Sequence, residues 1–208
     1  MAGSRERIVG MRFSQRVFCG ELAAGDAGRP VQLAGWVDAF RDHGGLLFVH
    51  LRDRSGIIQV VFSPGIASTE VCRQAAGLRA EYCIAVTGEV RKRREGTENP
   101  GIETGGIEVM ASGLTVLSQS DALPFAVSDK AMTAGGASQR REAVSEELRL
   151  EYRYLDLRRA PMRDNLIARH RIFQCVRRFL DARGFIEIEP PVLRMRPPIS
   201  LTRRAKSS

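Results

Sequence analysis

From Val31 to Phe62 apolar and polar residues alternate in short runs. Val31-Gln-Leu-Ala-Gly-Trp-Val37, Leu46–Leu51 and Ile57–Phe62 each carry the two-residue period of a strand with one buried face. The breaks between them, Asp42-His-Gly-Gly45 and Asp53-Arg-Ser-Gly56, are turn sequences. Residues 68–80 lose the alternation, and Val71, Cys72, Ala75, Ala76 and Leu78 recur at helical spacing. Strand character returns over Tyr82–Val90. A charged loop from Arg91 to Gly106 then leads to a last strand near Ile107–Leu117.

Three strands, a helix and two strands is the element order of the OB-fold, a five-stranded, partly open barrel that binds oligonucleotides on one face. Another small β-barrel would fit the same order. Residues 119–144 read as a linker, with Ala134-Gly-Gly-Ala-Ser138 at its centre. Ser145-Glu-Glu-Leu148 has the form of a helix N-cap with acids in the first turn, and a helix to about Arg158 is predicted. Pro161 opens a second helix, which should run to about Arg183 and stop at Gly184. Leu166, Phe173, Val176 and Leu180 form its apolar stripe, and Phe185–Ile188 should begin a strand. The fold class expected is therefore a β-barrel plus α. Its divisions are 1–10 (an extension without a fold pattern), 11–118 (the barrel), 119–144 (the linker), 145–194 (a helical segment and strand) and 195–208 (a tail).

Charge sharpens this picture. The 208 residues carry 32 Lys and Arg against 24 Asp and Glu, a net charge of +8, which favours a polyanionic partner. Cys19, Cys72, Cys83 and Cys175 form no C-x-x-C pair, and His43, His50 and His170 complete no zinc spacing; reduced thiols and no bound metal are expected. Absence of a long apolar run or a signal core points to a cytoplasmic protein without membrane contact.

Alternation along the second strand puts Leu47, Val49 and Leu51 on one face and Phe48, His50 and Arg52 on the other. An aromatic ring between cations suits single-stranded nucleic acid, with the ring stacking on a base and the cations meeting phosphate. Gln59, on the next strand, offers a donor and an acceptor to a base edge. The same pattern fits a ring closing a barrel mouth and a solvated glutamine. Arg41, before the first turn, and the run Arg91-Lys-Arg-Arg94 are either phosphate contacts or ordinary surface charges.

Phe18-Cys-Gly-Glu-Leu22, Gly35-Trp-Val37, Arg41-Asp-His-Gly-Gly45, Leu51-Arg-Asp-Arg54 and Ile58-Gln-Val-Val61 resemble the N-terminal domain of bacterial aspartyl-tRNA synthetases. Leu148-Arg-Leu-Glu-Tyr-Arg-Tyr-Leu-Asp-Leu-Arg-Arg159 resembles the start of that family's catalytic domain. Phe179–Leu193 resembles class II motif 1, a helix and strand at the dimer interface ending in a proline matched by Pro191. The resemblance implies an OB-fold anticodon-binding domain followed by the first part of a class II catalytic domain. It implies that Phe48 stacks on the central anticodon base, that Gln59 reads it, and that Arg41 and Glu108 make further anticodon contacts. His43 and the Glu95-Gly96-Thr97 loop resemble the forms in enzymes that accept both the aspartate and asparagine tRNAs. Phe173, Val176, Leu180 and Pro191 fall in the motif 1 dimer interface. The implied partners are tRNA and, in the full-length family, a second subunit.

After Leu193 the chain leaves the family pattern. The family continues Thr-Pro-Glu-Gly-Ala-Arg-Asp; here Arg194-Met-Arg-Pro-Pro198 and a basic tail follow. The family's amino-acid-binding glutamate, motif 2 and motif 3 have no counterpart. ATP and Mg²⁺, used by the full-length family, therefore have no assigned residues, and no catalytic residue is assigned. The expectations are a truncated synthetase, inactive alone, with a reading-frame change near residues 195–198. Its barrel should be folded and its final third poorly ordered. The alternatives are one part of a split ligase, or an interaction module that dimerises with a full-length synthetase.

Overall fold

The computed structural model describes residues 7–8, 11–127 and 144–189, with side chains from Ser14 onward. A short ladder pairs β1 (Arg7–Ile8) with β2 (Met11–Arg12), so the first ten residues contribute two paired positions where no pattern was expected. The barrel follows: β3 (Pro30–His43), β4 (Leu46–Arg52), β5 (Ile57–Phe62), α1 (Thr69–Ala76), β6 (Cys83–Lys92) and β7 (Ile107–Ser118). Its strands close in the order β3-β4-β5-β7-β6. Closure comes from a brief parallel pairing of β5 with β7, through Val60↔Val109 and Val61↔Met110. The five-stranded OB-fold expected from the element order is thus present, as a closed barrel.

Alternation carries the packing. Leu47, Val49 and Leu51 of β4 are buried, as are Ile58, Val60 and Phe62 of β5. They meet Val31, Leu33 and Val37 of β3, Ile84, Val86 and Val90 of β6, and Ile107, Val109 and Ala111 of β7 in one core. Helix α1 is capped by Ser68, whose hydroxyl accepts from Val71 N–H at 3.3 Å, and it lays Ala75 and the following Leu78 on the same core. At the β3–β4 turn, Gly44 (φ 62°) and Gly45 (φ 91°) take the two left-handed positions of a tight hairpin, and Asp42 Oδ1 accepts from Gly45 N–H at 3.0 Å.

Long β3 has one irregularity. The pairing with β4 shifts between Val37 and Ala39, leaving Asp38 as an extra residue. Its fully buried carboxylate meets Arg52 Nε at 2.9 Å. The same guanidinium binds Glu81, which in turn accepts from Arg158 at 2.7 Å. Glu81 holds φ 63°, unusual for a residue with a Cβ, while its N–H donates to Val37 O at 2.7 Å. Arg158 also lies 5.1 Å from the Trp36 ring centroid.

The segment bearing Arg158 is helical in two pieces, α2 (Glu146–Glu151) and α3 (Arg153–Asp156), rather than one helix to Arg158. The break falls at Tyr152 (φ −104°, ψ 47°), where three arginines gather on one acid. Arg149, Arg153 and Arg159 reach the buried Asp156 at 3.0, 2.6 and 3.4 Å. The hydrogen bond from Arg149 holds Asp156 below the usual carboxylate range, with Arg149, Arg153 and Arg159 adding charge. Leu155 packs with Phe125 and Val127 in a small second core.

The chain divides into two compact units after Ala160. In the second, α4 (Ala160–Asp181) ends through Gly184 (φ 80°), with Phe185 N–H donating to Leu180 O at 3.2 Å. Residues 146–156 and 160–181 are thus mostly helical, and the remainder of the final third beyond Glu189 lies outside the described residues. The expected strand at Phe185–Ile188 is not formed: its residues are exposed and have no strand beside them among the described residues, and a strand needs a neighbour to satisfy its backbone.

Replacing Glu81 should show how much the ion network contributes. Loss of one partner from a buried network costs about 3–5 kcal/mol. Glu81→Ala should lower stability by that order in urea unfolding. Glu81→Gly, which also removes the cost of the left-handed backbone, should be about 1 kcal/mol less damaging than Glu81→Ala.

Candidate nucleic-acid interface

Register places the candidate residues on one outer face. Arg41 of β3 pairs with Phe48 of β4, and His43 with Leu46. His50 pairs with Gln59 of β5, and Glu108 of β7 with Arg91 of β6. Val49, Val60 and Val109, which follow Phe48, Gln59 and Glu108, point into the core, so those three side chains point out, and Arg41 shares their face through its pairing with Phe48. The structure brings Arg41, Phe48, Gln59 and Glu108 into one surface from four strands. Gln59 Nε2 donates to Glu108 Oε2 at 2.8 Å across 49 residues of sequence. This bond fixes the orientation of both side chains. Phe48 is half-buried, and the exposed His43 ring meets it edge-on at 5.7 Å between centroids.

Two further residues belong to this surface. His50 sits between Phe48 and Arg52 along β4. Burial lowers its basicity, with Arg41 and Arg93 adding to the effect, against opposing contributions from Asp38 and a hydrogen bond with Gln59. Arg93 follows β6, its Nε donating to Ile107 O at 3.1 Å and its Nη1 to Thr97 O at 3.4 Å. Burial pulls Arg93 below its ordinary value while Glu108 and Glu98 pull it back. Of the basic run, Arg93 alone is half-buried against this face, whereas Arg91 binds Glu89 at 3.3 Å. Alternation ends with the strand, so nothing in the sequence separated Arg93 from its neighbours. Gly96 (φ 80°) turns the loop, and Thr97 Oγ1 closes it on Arg94 O at 2.7 Å. Gly96 and Thr97 are thus tied to the interface through Arg93.

The remaining candidates lie elsewhere. Phe173, Val176 and Leu180 fall on α4 and are 48%, 50% and 40% exposed. Pro191 lies outside the described residues. Among the described residues no cluster of His, Cys, Asp or Glu is arranged to hold a metal ion. No helix among them is long and apolar enough to cross a membrane.

Comparison with known proteins agrees with this geometry. Residues 31–117 match the family described as OB-fold nucleic acid binding domain, and residues 145–201 match tRNA synthetases class II (D, K and N). The chain is 68% identical over 195 residues to an aspartate–tRNA(Asp/Asn) ligase of Syntrophus aciditrophicus, covering 94% of this chain and 27% of that protein. It belongs, as an amino-terminal part, with the bacterial-type aspartyl-tRNA synthetases. The corresponding ligase of Bacillus subtilis is 45% identical over 87% of this chain and 29% of its own length. The chain therefore spans a little over a quarter of the curated relatives it matches. Among solved structures, asparaginyl-tRNA synthetase from Pyrococcus horikoshii superposes with a TM-score of 0.68 at 26% identity, over 85% of this chain and 36% of that one. Aspartyl-tRNA synthetase from Entamoeba histolytica gives 0.73 at 22% identity, over 86% and 39%, a likeness of fold.

The lowered basicity of His50 has a sign that can be checked. Its folded value lies below the ordinary 6.5, so the unfolded chain takes up a proton first as pH falls. Stability should therefore decline from pH 6.5 down to the folded value and then level off. In His50→Gln this part of the decline should vanish, read from urea midpoints of both proteins across the same pH series.

Proposed function

We propose that this chain binds tRNA at the anticodon, through the outer face of its barrel, as the anticodon-reading part of an aspartyl-tRNA synthetase. The observation that carries the reading is the side-chain pair Gln59–Glu108 beside Phe48. A stacking ring gives affinity for any base; an oriented amide and carboxylate give choice among bases. Arg41 and Arg93 supply positive charge toward phosphate or base edges. The relatives named for tRNA(Asp/Asn) support acceptance of both aspartate and asparagine anticodons, with His43, Gly96 and Thr97 bordering the position where those anticodons differ. In the complete ligase, attachment of aspartate to tRNA would use ATP and Mg²⁺ in the part this chain does not span. The chain alone is proposed to bind tRNA without charging it.

Titration with anticodon stem-loops for aspartate and asparagine, and with a scrambled loop, tests this reading. Both cognate loops should bind with near-equal affinity and tighter than the scrambled one. Phe48→Ala should lose about 1–3 kcal/mol, roughly 5- to 150-fold in Kd. Equal binding to all three loops would leave only charge attraction and overturn the proposal.

A second reading rests on α4. Its stripe of Phe173, Val176 and Leu180 is exposed in the isolated chain, and exposed apolar stripes drive association. This favours self-pairing, or pairing with a full-length synthetase, through the motif 1 helix. Gel filtration should show a dimer or heterodimer that Leu180→Glu returns to monomer, with stem-loop binding unchanged. A native monomer at all concentrations, with no heterodimer, would rule it out.

A further inference from the structure

The segment before the barrel carries an arrangement that the anticodon face does not use. Arg16 and Arg54 both lie against the Phe18 ring, with guanidinium carbons 4.7 and 4.2 Å from its centroid. Both arginines are exposed, and Phe18 is half-buried. Four other barrel arginines have carboxylate partners: Arg29 has Asp26, Arg52 has Asp38 and Glu81, Arg73 has Glu70, and Arg91 has Glu89; Arg79 and Arg93 donate to backbone carbonyls. Among the described residues Arg16 and Arg54 form no salt bridge. Asp53, adjacent to Arg54, is engaged by other donors. It accepts from Cys19 N–H at 2.8 Å, Ser55 N–H at 2.7 Å, Ser55 Oγ–H at 2.6 Å and Gly56 N–H at 3.2 Å.

The arrangement is also held firmly. Cys19 is fully buried in the barrel core. Val17 N–H donates to Gln32 O at 2.9 Å, and Gly20 N–H donates to Ser55 Oγ at 2.7 Å. A Cβ at Gly20 would collide with the Ser55 carbonyl, so the segment and the β4–β5 turn meet at glycine contact. Phe18 is thereby fixed at the turn that carries Arg54. Stacking on a ring leaves the N–H edges of a guanidinium free to donate outward, in a fork that matches phosphate. Two like charges gathered on one ring repel, and a polyanion that meets both reduces that cost.

We propose that Arg16 and Arg54, splayed on Phe18, form a clamp for the phosphate backbone of the RNA whose anticodon lies on the Phe48 face. The occupant is argued from charge and distance. The chain carries +8, and the clamp's cations form no salt bridge among the described residues. Arg54 is six positions beyond Phe48, past the end of β4, which at strand rise is at most about 20 Å. That distance is about six base steps of a helical stem. An RNA with its loop at Phe48 thus brings stem phosphates within reach of the clamp. The clamp deepens the anticodon-binding reading and rests on it for the identity of the RNA.

The test uses the full chain and the three stem-loops, with Kd measured from 50 to 200 mM salt. The double variant R16Q/R54Q should weaken cognate and scrambled loops alike and keep their ratio. Its slope of log K against log salt should shrink by about 2, near one unit per lost phosphate contact. R16K/R54K, which keeps the charges, should restore most of the slope. Ethylation of stem phosphates should weaken binding to the native chain and have no further effect on R16Q/R54Q. An unchanged slope in R16Q/R54Q, or no interfering stem phosphate on the native chain, would overturn the clamp. If the native chain fails to distinguish cognate from scrambled loops while the slope still falls, the clamp stands and anticodon reading falls.

Discussion

Arg52 ties together parts of this protein that share no sequence neighbourhood. It ends the strand that carries Phe48 and His50, and its guanidinium is held by Asp38 from a bulge in β3 and by Glu81 before β6. A buried cation with two carboxylates is costly to desolvate, and breaking such a network is costlier still. The cost of Glu81's left-handed backbone persists because its N–H and its carboxylate are both committed. Through Arg158 the same carboxylate holds the helical segment that follows the barrel. Barrel closure, the path of β4 and the docking of α2 and α3 therefore meet at one cluster of charges.

That rigidity matters for recognition. A base reader must present its donors and acceptors at set angles before the ligand arrives, because each side chain ordered on binding subtracts from affinity. Gln59 and Glu108 orient each other, and half-buried His50, between Phe48 and Arg52, has its basicity lowered by burial. The proposed Phe18 clamp follows the same logic with different chemistry: its ring carries two cations that form no salt bridge among the described residues. Under the proposed function, base choice and backbone grip fall at opposite ends of β4. Phe48 lies near the glycine turn, and Arg54 lies beyond the other end.

The α4 helix presents the opposite situation. Its sequence has the periodicity and the glycine stop of a stable helix, and it forms one. Yet its apolar residues remain exposed, and Phe185–Ile188 stays irregular. A helix satisfies its own backbone; a strand cannot. The local pattern was therefore sufficient for the helix and insufficient for the strand.

By itself the sequence determined the barrel, because a two-residue period interrupted by Gly and Asp turns admits few other structures. It also determined the outward placement of Phe48 and Gln59, since side chains alternate along any strand. The resemblance of separate segments placed the chain among the synthetases. Only the tertiary structure decided which charges become a site. Gln59 and Glu108 stand 49 residues apart, Glu81 and Arg158 stand 77 apart, and Arg54 meets the distant segment of Arg16 on the Phe18 ring. Periodicity reports how each residue faces its own element. Ion pairs, ring contacts and burial depend on which elements become neighbours, and that is set by closure of the barrel.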